Sequence, residues 1–320
     1  LVEDHRFLFP LSTIAGVGVD LFLILSGYGL VLSGLKKDLS IGQFYKQRLI
    51  RLFVPMWIIL LFFFVAKYFI LNISYSWAYV VQSFFGIFRT ADLYQDINSP
   101  LWYFSFIVFF YLLFPLVFSR KWPWLSALGF YAITWLILKT ELFGLSHNLF
   151  MYRIHLAAFP IGMLFASIVA GGGNFFAKFK AWIRQGELKI VAKGVSERTL
   201  GILKNIVFYL SFVASILLFL YFFSHSGVGR GITVEQTLSI LTAISVLIVF
   251  LLKKFEIKLL YIFGVYSYEI YLLHWPIMYS YDIFYRFLPA WLATVLYLVF
   301  FIGLGLGLQR LSKVIVAKIL

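Results

Sequence analysis

Ser267, Tyr271 and His274 fall at positions i, i+4 and i+7 of an apolar run, so on a helix they share one face. Pro276 bends that helix just beyond them. A charge at the centre of a bilayer costs roughly 2.5 kcal/mol or more, so ionisable groups seldom persist there without a job. A neutral imidazole can take a proton from an attacking hydroxyl, so His274 reads either as a general base or as a histidine hydrogen-bonded for packing. Glu269 sits well round the axis from His274 and is assigned to an inter-helix hydrogen bond instead.

Asp20 is the carboxylate expected to order that base. It lies on one stripe with Gly16, Gly27 and Gly34, and small residues of this kind let a neighbouring helix approach closely and bury the acid. Counted from the external surface it lies at a depth similar to that of His274. The alternative is an acid that pairs with an arginine or caps a helix end. Arg48 and Arg51, at i and i+3 ahead of Pro55, point the same way, which suits either phosphate capture or plain anchoring at the membrane surface.

The elements that position these groups follow from composition. With 62% hydrophobic and 21% aromatic residues and a mean hydropathy of +0.95, 320 residues cannot all hide inside a soluble domain. The chain reads as an all-α, polytopic membrane helix bundle. Apolar runs at 14–35, 52–72, 99–118, 123–140, 151–171, 206–224, 235–252, 259–280 and 288–309 each approach the roughly 20 residues needed to cross. The run from Trp77 to Phe88 is too short and predicts an external interfacial or re-entrant helix.

A net charge of +14 raises the question of nucleic acid, but 20 of the 27 basic residues fall on one side of the predicted spans. That asymmetry is the positive-inside pattern, so no nucleic-acid partner is expected. It puts residues 1–13 outside and the C-terminus in the cytoplasm. The stretch Gly171–Asn205 mixes basic residues with Phe175, Phe176, Phe179 and Trp182, which suits a helix lying on anionic lipid or a contact with a cytosolic ligand. The absence of cysteine excludes disulfides, thiolate chemistry and cysteine-held metals, and no metal is expected. Starting at Leu1 without a charged leader, the chain reads as one membrane domain over 1–320, truncated at its N-terminus and without a separate soluble domain.

Several motifs in order resemble the acyltransferase-3 family of integral membrane O-acyltransferases. Gly18-Val19-Asp20-Leu21-Phe22-Leu23-Ile24-Leu25-Ser26-Gly27-Tyr28 is similar to the family's G-V-D-x-F-F-x-L-S-G-[FY] element, with Leu23 in place of its second phenylalanine. Arg48-Leu49-Ile50-Arg51 with Pro55 resembles R-x-x-R-x-x-x-P, Pro100-Leu101-Trp102-Tyr103 resembles the start of a later span, and Tyr271-Leu272-Leu273-His274 resembles Y-L-x-H. The stretch from Ser105 to Tyr111 lacks the glutamate that many members carry there.

The resemblance implies ten helices, one more than the nine spans present. It implies transfer of an acyl group, commonly acetyl, from cytoplasmic acyl-CoA to a hydroxyl of a surface or exported glycan or glycolipid. Arg48 and Arg51 would then hold the acyl-CoA phosphates; Asp20, Tyr271 and His274 would form the catalytic site, with Ser26 and Ser267 in support. The family's first helix carries a histidine regarded as catalytic; His5 is the candidate for it, an upstream histidine outside this chain being the alternative. A bacterial cytoplasmic membrane is the expected location, and a separate extracytoplasmic transferase a possible partner. Two rival readings use the same residues differently: a transporter or flippase for a lipid-linked sugar, and a non-catalytic scaffold of a glycan assembly complex.

Overall fold

The computed structural model describes residues 15–36, 40–139, 149–171, 181–182, 184–185, 196–227, 231–253 and 255–320. The described chain is helical because hydrocarbon offers no partners to an open backbone, and a helix satisfies its N–H and C=O groups within one segment. In order the helices are α1 (Ala15–Lys36), α2 (Ile41–Leu71), α3 (Trp77–Phe84), α4 (Trp102–Val117, entered through a 3-10 turn at Ser99–Leu101), α5 (Pro123–Lys139) and α6 (Leu149–His155). They continue as α7 (Ala158–Gly171), α8 (Glu197–His225), α9 (Ile232–Leu252), α10 (Lys258–Val265), α11 (Ser267–Trp275) and α12 (Ala290–Ile319), with a π-helical turn at Pro276–Tyr281.

Seven stretches are long and apolar enough to cross a membrane: α1, α2, α4 with its 3-10 turn, α6 running into α7, α8, α9 and α12. The protein is an all-α, integral membrane bundle. The two other predicted spans are shorter pieces. Helix α5 has 17 residues, and the predicted helix over 259–280 is broken twice. At Tyr266 the backbone leaves the helical region (φ −106°, ψ 12°), and the Ser267 hydroxyl donates to the Gly264 carbonyl at 2.9 Å. At Pro276, which brings no N–H, the helix widens to a π turn that ends where left-handed Asp282 (φ 43°) donates its N–H to the Ile277 carbonyl.

Helix α2 begins at Ile41, well before the predicted start at 52, because Ser40 and Gln43 cap it reciprocally through two bonds of 3.3 Å. Arg48 and Arg51 therefore lie inside it. The short external run forms α3, which stops before Gly86 (φ +74°); a β-carbon there would come within 2.7 Å of the Phe104 ring, so only glycine suits both the turn and the space.

The chain divides into two compact units. The first comprises Leu1–Asp38, Val117–Thr140 and Phe150–Phe255, and the second Leu39–Leu116, Glu141–Leu149 and Glu256–Leu320. In the first, α1 packs on α7 and α9, α7 on α5, and α8 on α9. The glycine stripe brings the α1 and α7 backbones together: a β-carbon on Gly27 would strike the Phe159 carbonyl, and one on Gly162 the Ile24 carbonyl. At the end of α1, the Arg120 guanidinium donates to the Gly34 carbonyl at 2.7 Å. In the second unit α2, α11 and α12 close around Met56, Leu60, Phe63, Leu272, Tyr297 and Phe301.

Candidate active site

In the first unit, Asp20 of α1 is fully buried and its two carboxylate oxygens are engaged separately. The His155 Nδ1–H donates to Oδ1 at 2.7 Å, and the Ser239 hydroxyl of α9 donates to Oδ2 in a short bond. His155 and Ser239 are buried as well. The ring of His155 has room because position 16 is glycine; a β-carbon there would lie 3.1 Å from its Cε1. With Nδ1–H committed to a carboxylate, Nε2 is the nitrogen that can take a proton, and the carboxylate stabilises the resulting imidazolium.

The sequence reading placed Asp20 correctly on a small-residue stripe but assigned it no partner of this kind. The signal was present. His155 interrupts an apolar run two residues after Arg153, and buried Glu235, Ser239 and Thr242 repeat the i, i+4, i+7 spacing that drew attention to His274. Thr242 also bonds Ser226 of α8 at 2.7 Å, so α9 presents a polar stripe along its buried side.

His274 belongs to the second unit. Its Nδ1 lies 2.8 Å from the Tyr271 carbonyl and 3.2 Å from that of Ile270. A carbonyl only accepts, so Nδ1 carries the hydrogen and Nε2 is the acceptor nitrogen of the neutral ring. The Tyr271 hydroxyl donates to the Pro100 carbonyl at 2.5 Å and so fixes α11 to the entrance of α4, while the Asn98 amide donates to the Leu272 carbonyl at 2.9 Å. Ser267, Tyr271 and His274 all lie on α11, with Ser267 closing the break before it. Glu269 makes the inter-helix hydrogen bond expected of it, to the Gln309 side chain of α12.

The second unit also buries a charge that the sequence reading passed over. Lys67, near the end of α2, is 3% exposed and donates to the Tyr75 hydroxyl at 3.2 Å and the Asp96 carbonyl at 3.1 Å. The Asp96 carboxylate in turn accepts from Thr90, Tyr79 and the Asp92 N–H, which pins the loop between α3 and α4. Burial and the nearby Asp96 push the Tyr75 phenol up to about 12, with a further contribution from Tyr281.

Arg48 is half-buried and Arg51 exposed; among the described residues neither is ion-paired, and Ser26 is half-buried in α1. His5 and most of 171–205 lie outside the described residues.

No curated protein and no solved structure matches the chain. A family comparison does: residues 2–310 match the acyltransferase-3 family, described as an acyltransferase domain. The motifs around Asp20, Arg48, Trp102 and His274 lie inside that match, as does the buried Asp20–His155 pair. The chain belongs to the acyltransferase-3 family of membrane acyltransferases.

Proposed function

We propose that the protein moves an acyl group, acetyl in the simplest case, from acyl-CoA on the cytoplasmic side to a hydroxyl of a surface or exported glycan. The observation that carries this reading is the buried Asp20–His155 pair, joined at 2.7 Å inside a membrane acyltransferase. A hydroxyl is a weak nucleophile until a base takes its proton as it attacks. His155 accepts that proton at Nε2, while Asp20 and Ser239 hold the ring and its charge. The hydroxyl oxygen bonds to the thioester carbonyl carbon, the carbon–sulfur bond breaks, and the coenzyme leaves with the proton returned to its sulfur.

Arg48 and Arg51 serve the donor, as a pair of guanidinium groups suited to bidentate phosphate binding on one face of α2. His274, with its acceptor nitrogen fixed by α11, serves as a second site residue together with Tyr271, Ser26 and Ser267. His5 is the remaining candidate, in the role of the family's first-helix histidine. The basic residues that frame the spans favour a bacterial cytoplasmic membrane with the C-terminus inside, and a separate extracytoplasmic transferase could carry the acyl group further.

Purified protein in proteoliposomes, supplied with radiolabelled acetyl-CoA and a glycan acceptor, tests the reading. His155→Gln should lower turnover by about 10²-fold or more with the donor KM little changed. The Arg48→Ala, Arg51→Ala protein should instead raise the donor KM. Full turnover by the His155→Gln protein would remove the base from this mechanism.

A further inference from the structure

A cavity of about 670 Å³ opens in the second unit between α2, α11 with its π turn, and α12. That volume falls within the roughly 300–1,000 Å³ typical of ligand sites. Its lining is hydrocarbon almost throughout, with Ile59, Phe63, Leu273 and Leu304 among its walls. Gly303 and Gly307, one turn apart on α12, make the space: a β-carbon on either would meet no atom within 4 Å. Gly305 between them faces the other way, where a β-carbon would come 3.0 Å from Tyr266.

The lining runs from Ile58 to Ile70 on α2 and from Phe300 to Leu311 on α12. At 1.5 Å per residue that is about 17 Å of helix, close to one leaflet of a hydrocarbon core about 30 Å thick. One polar atom interrupts this surface. The Tyr281 hydroxyl has no hydrogen-bond partner among the described residues, although its ring stacks on Phe63 at 6.3 Å and lines the cavity. A phenol left without a partner in hydrocarbon is unfavourable, so the site asks for an acceptor at that point and an apolar chain beyond it.

We propose that this cavity binds a fatty acyl chain that carries a carbonyl at its head. The chain lies along α2 and α12 over the two glycines, and Tyr281 donates to the carbonyl. A bilayer glycerolipid and a long-chain acyl thioester share this chemistry. The site stands apart from the acyl-transfer reading, since it requires no reaction.

Photolabelling tests it. Wild-type protein in nanodiscs of phosphatidylcholine and phosphatidylglycerol, with a trace of phosphatidylcholine bearing a mid-chain diazirine, should be labelled at Ile59, Phe63, Leu304 and Leu308. The excess over Leu210 and Leu217, exposed positions of α8, should be about tenfold. Gly303→Leu with Gly307→Leu fills the cavity and should abolish the excess. Gly303→Ala with Gly307→Ala, whose added carbons meet open space, preserves the fold and should reduce it. Tyr281→Phe keeps the ring and should also weaken labelling. Palmitoyl-CoA in excess identifies the source: suppression assigns the site to the thioester, and unchanged labelling assigns it to the bilayer lipid. Labelling no stronger than at α8, or equally strong when the cavity is filled, would overturn the proposal.

Discussion

Gly27 and Phe159 meet at the backbone: the carbonyl of Phe159 occupies the place that a β-carbon on residue 27 would take. Gly162 stands in the same relation to Ile24, so α1 and α7 each press a glycine against the main chain of the other. Within a membrane there is little hydrophobic force between helices, and close packing of this kind is what holds them together. Gly27→Ala and Gly162→Ala must each push the helices apart, at a cost of about 1–3 kcal/mol. Thermal unfolding in detergent should show both variants melting well below the wild type. Gly29→Ala is the control, because a β-carbon there meets nothing within 4 Å.

The same packing holds Asp20 in place for His155 and Ser239. Asp20→Asn retains side-chain hydrogen bonding to both but removes the charge that favours a protonated imidazole. Acyl transfer should fall by about 10²–10⁴-fold while the melting temperature changes little. Asp20→Ala should do more damage, because it leaves two buried polar groups without their partner, at about 1–3 kcal/mol for each group left unsatisfied. Turnover and melting temperature measured on both variants separate the two effects: equal loss of turnover with equal loss of stability would make the carboxylate structural.

Much of the architecture was legible because hydrocarbon leaves few choices. Length and apolarity mark α1, α2, α4, α8, α9 and α12 directly, and the stripe through Gly27 announces a close helix contact. What the sequence did not disclose was pairing between distant segments. Asp20 and His155 are 135 residues apart and Asp20 and Ser239 are 219 apart, and no local pattern names such partners. Lys67 was hidden for a different reason. It lies in a strongly apolar run, and its partners, Tyr75 and the Asp96 carbonyl, belong to a loop with no periodicity. The breaks at Tyr266 and Pro276 were only half visible, since proline signals a bend and Tyr266 carries no signal at all.

Asp92 gives a prediction about acid. The N–H groups of Gln95 and Tyr94 donate to its carboxylate at 2.8 and 2.7 Å and hold its pKa below the usual 3.8. A depressed pKa means that the folded loop favours the charged form. The stabilisation is complete above the ordinary aspartate value and is lost as the pH falls through the lowered one. Hydrogen exchange at the Tyr94 and Gln95 amides, relative to unprotected reference amides, should therefore stay slow down to about pH 4 and accelerate below it. In Asp92→Ala that acid-dependent step should be absent.

His274 can be tested against its own helix. Its Nδ1–H bond to the Tyr271 carbonyl fixes the tautomer and leaves Nε2 to accept a proton, a capacity that glutamine of similar reach does not share. Tyr271 contributes differently, by tying α11 to Pro100 through its hydroxyl. Tyr271→Phe removes that one hydrogen bond and should cost about 1 kcal/mol of stability, with turnover lowered only as far as the helix shifts. His274→Gln should leave stability near wild type and lower turnover by about 10²-fold. The opposite pattern, full turnover in His274→Gln with reduced stability, would assign the imidazole to packing and leave proton transfer to His155 alone.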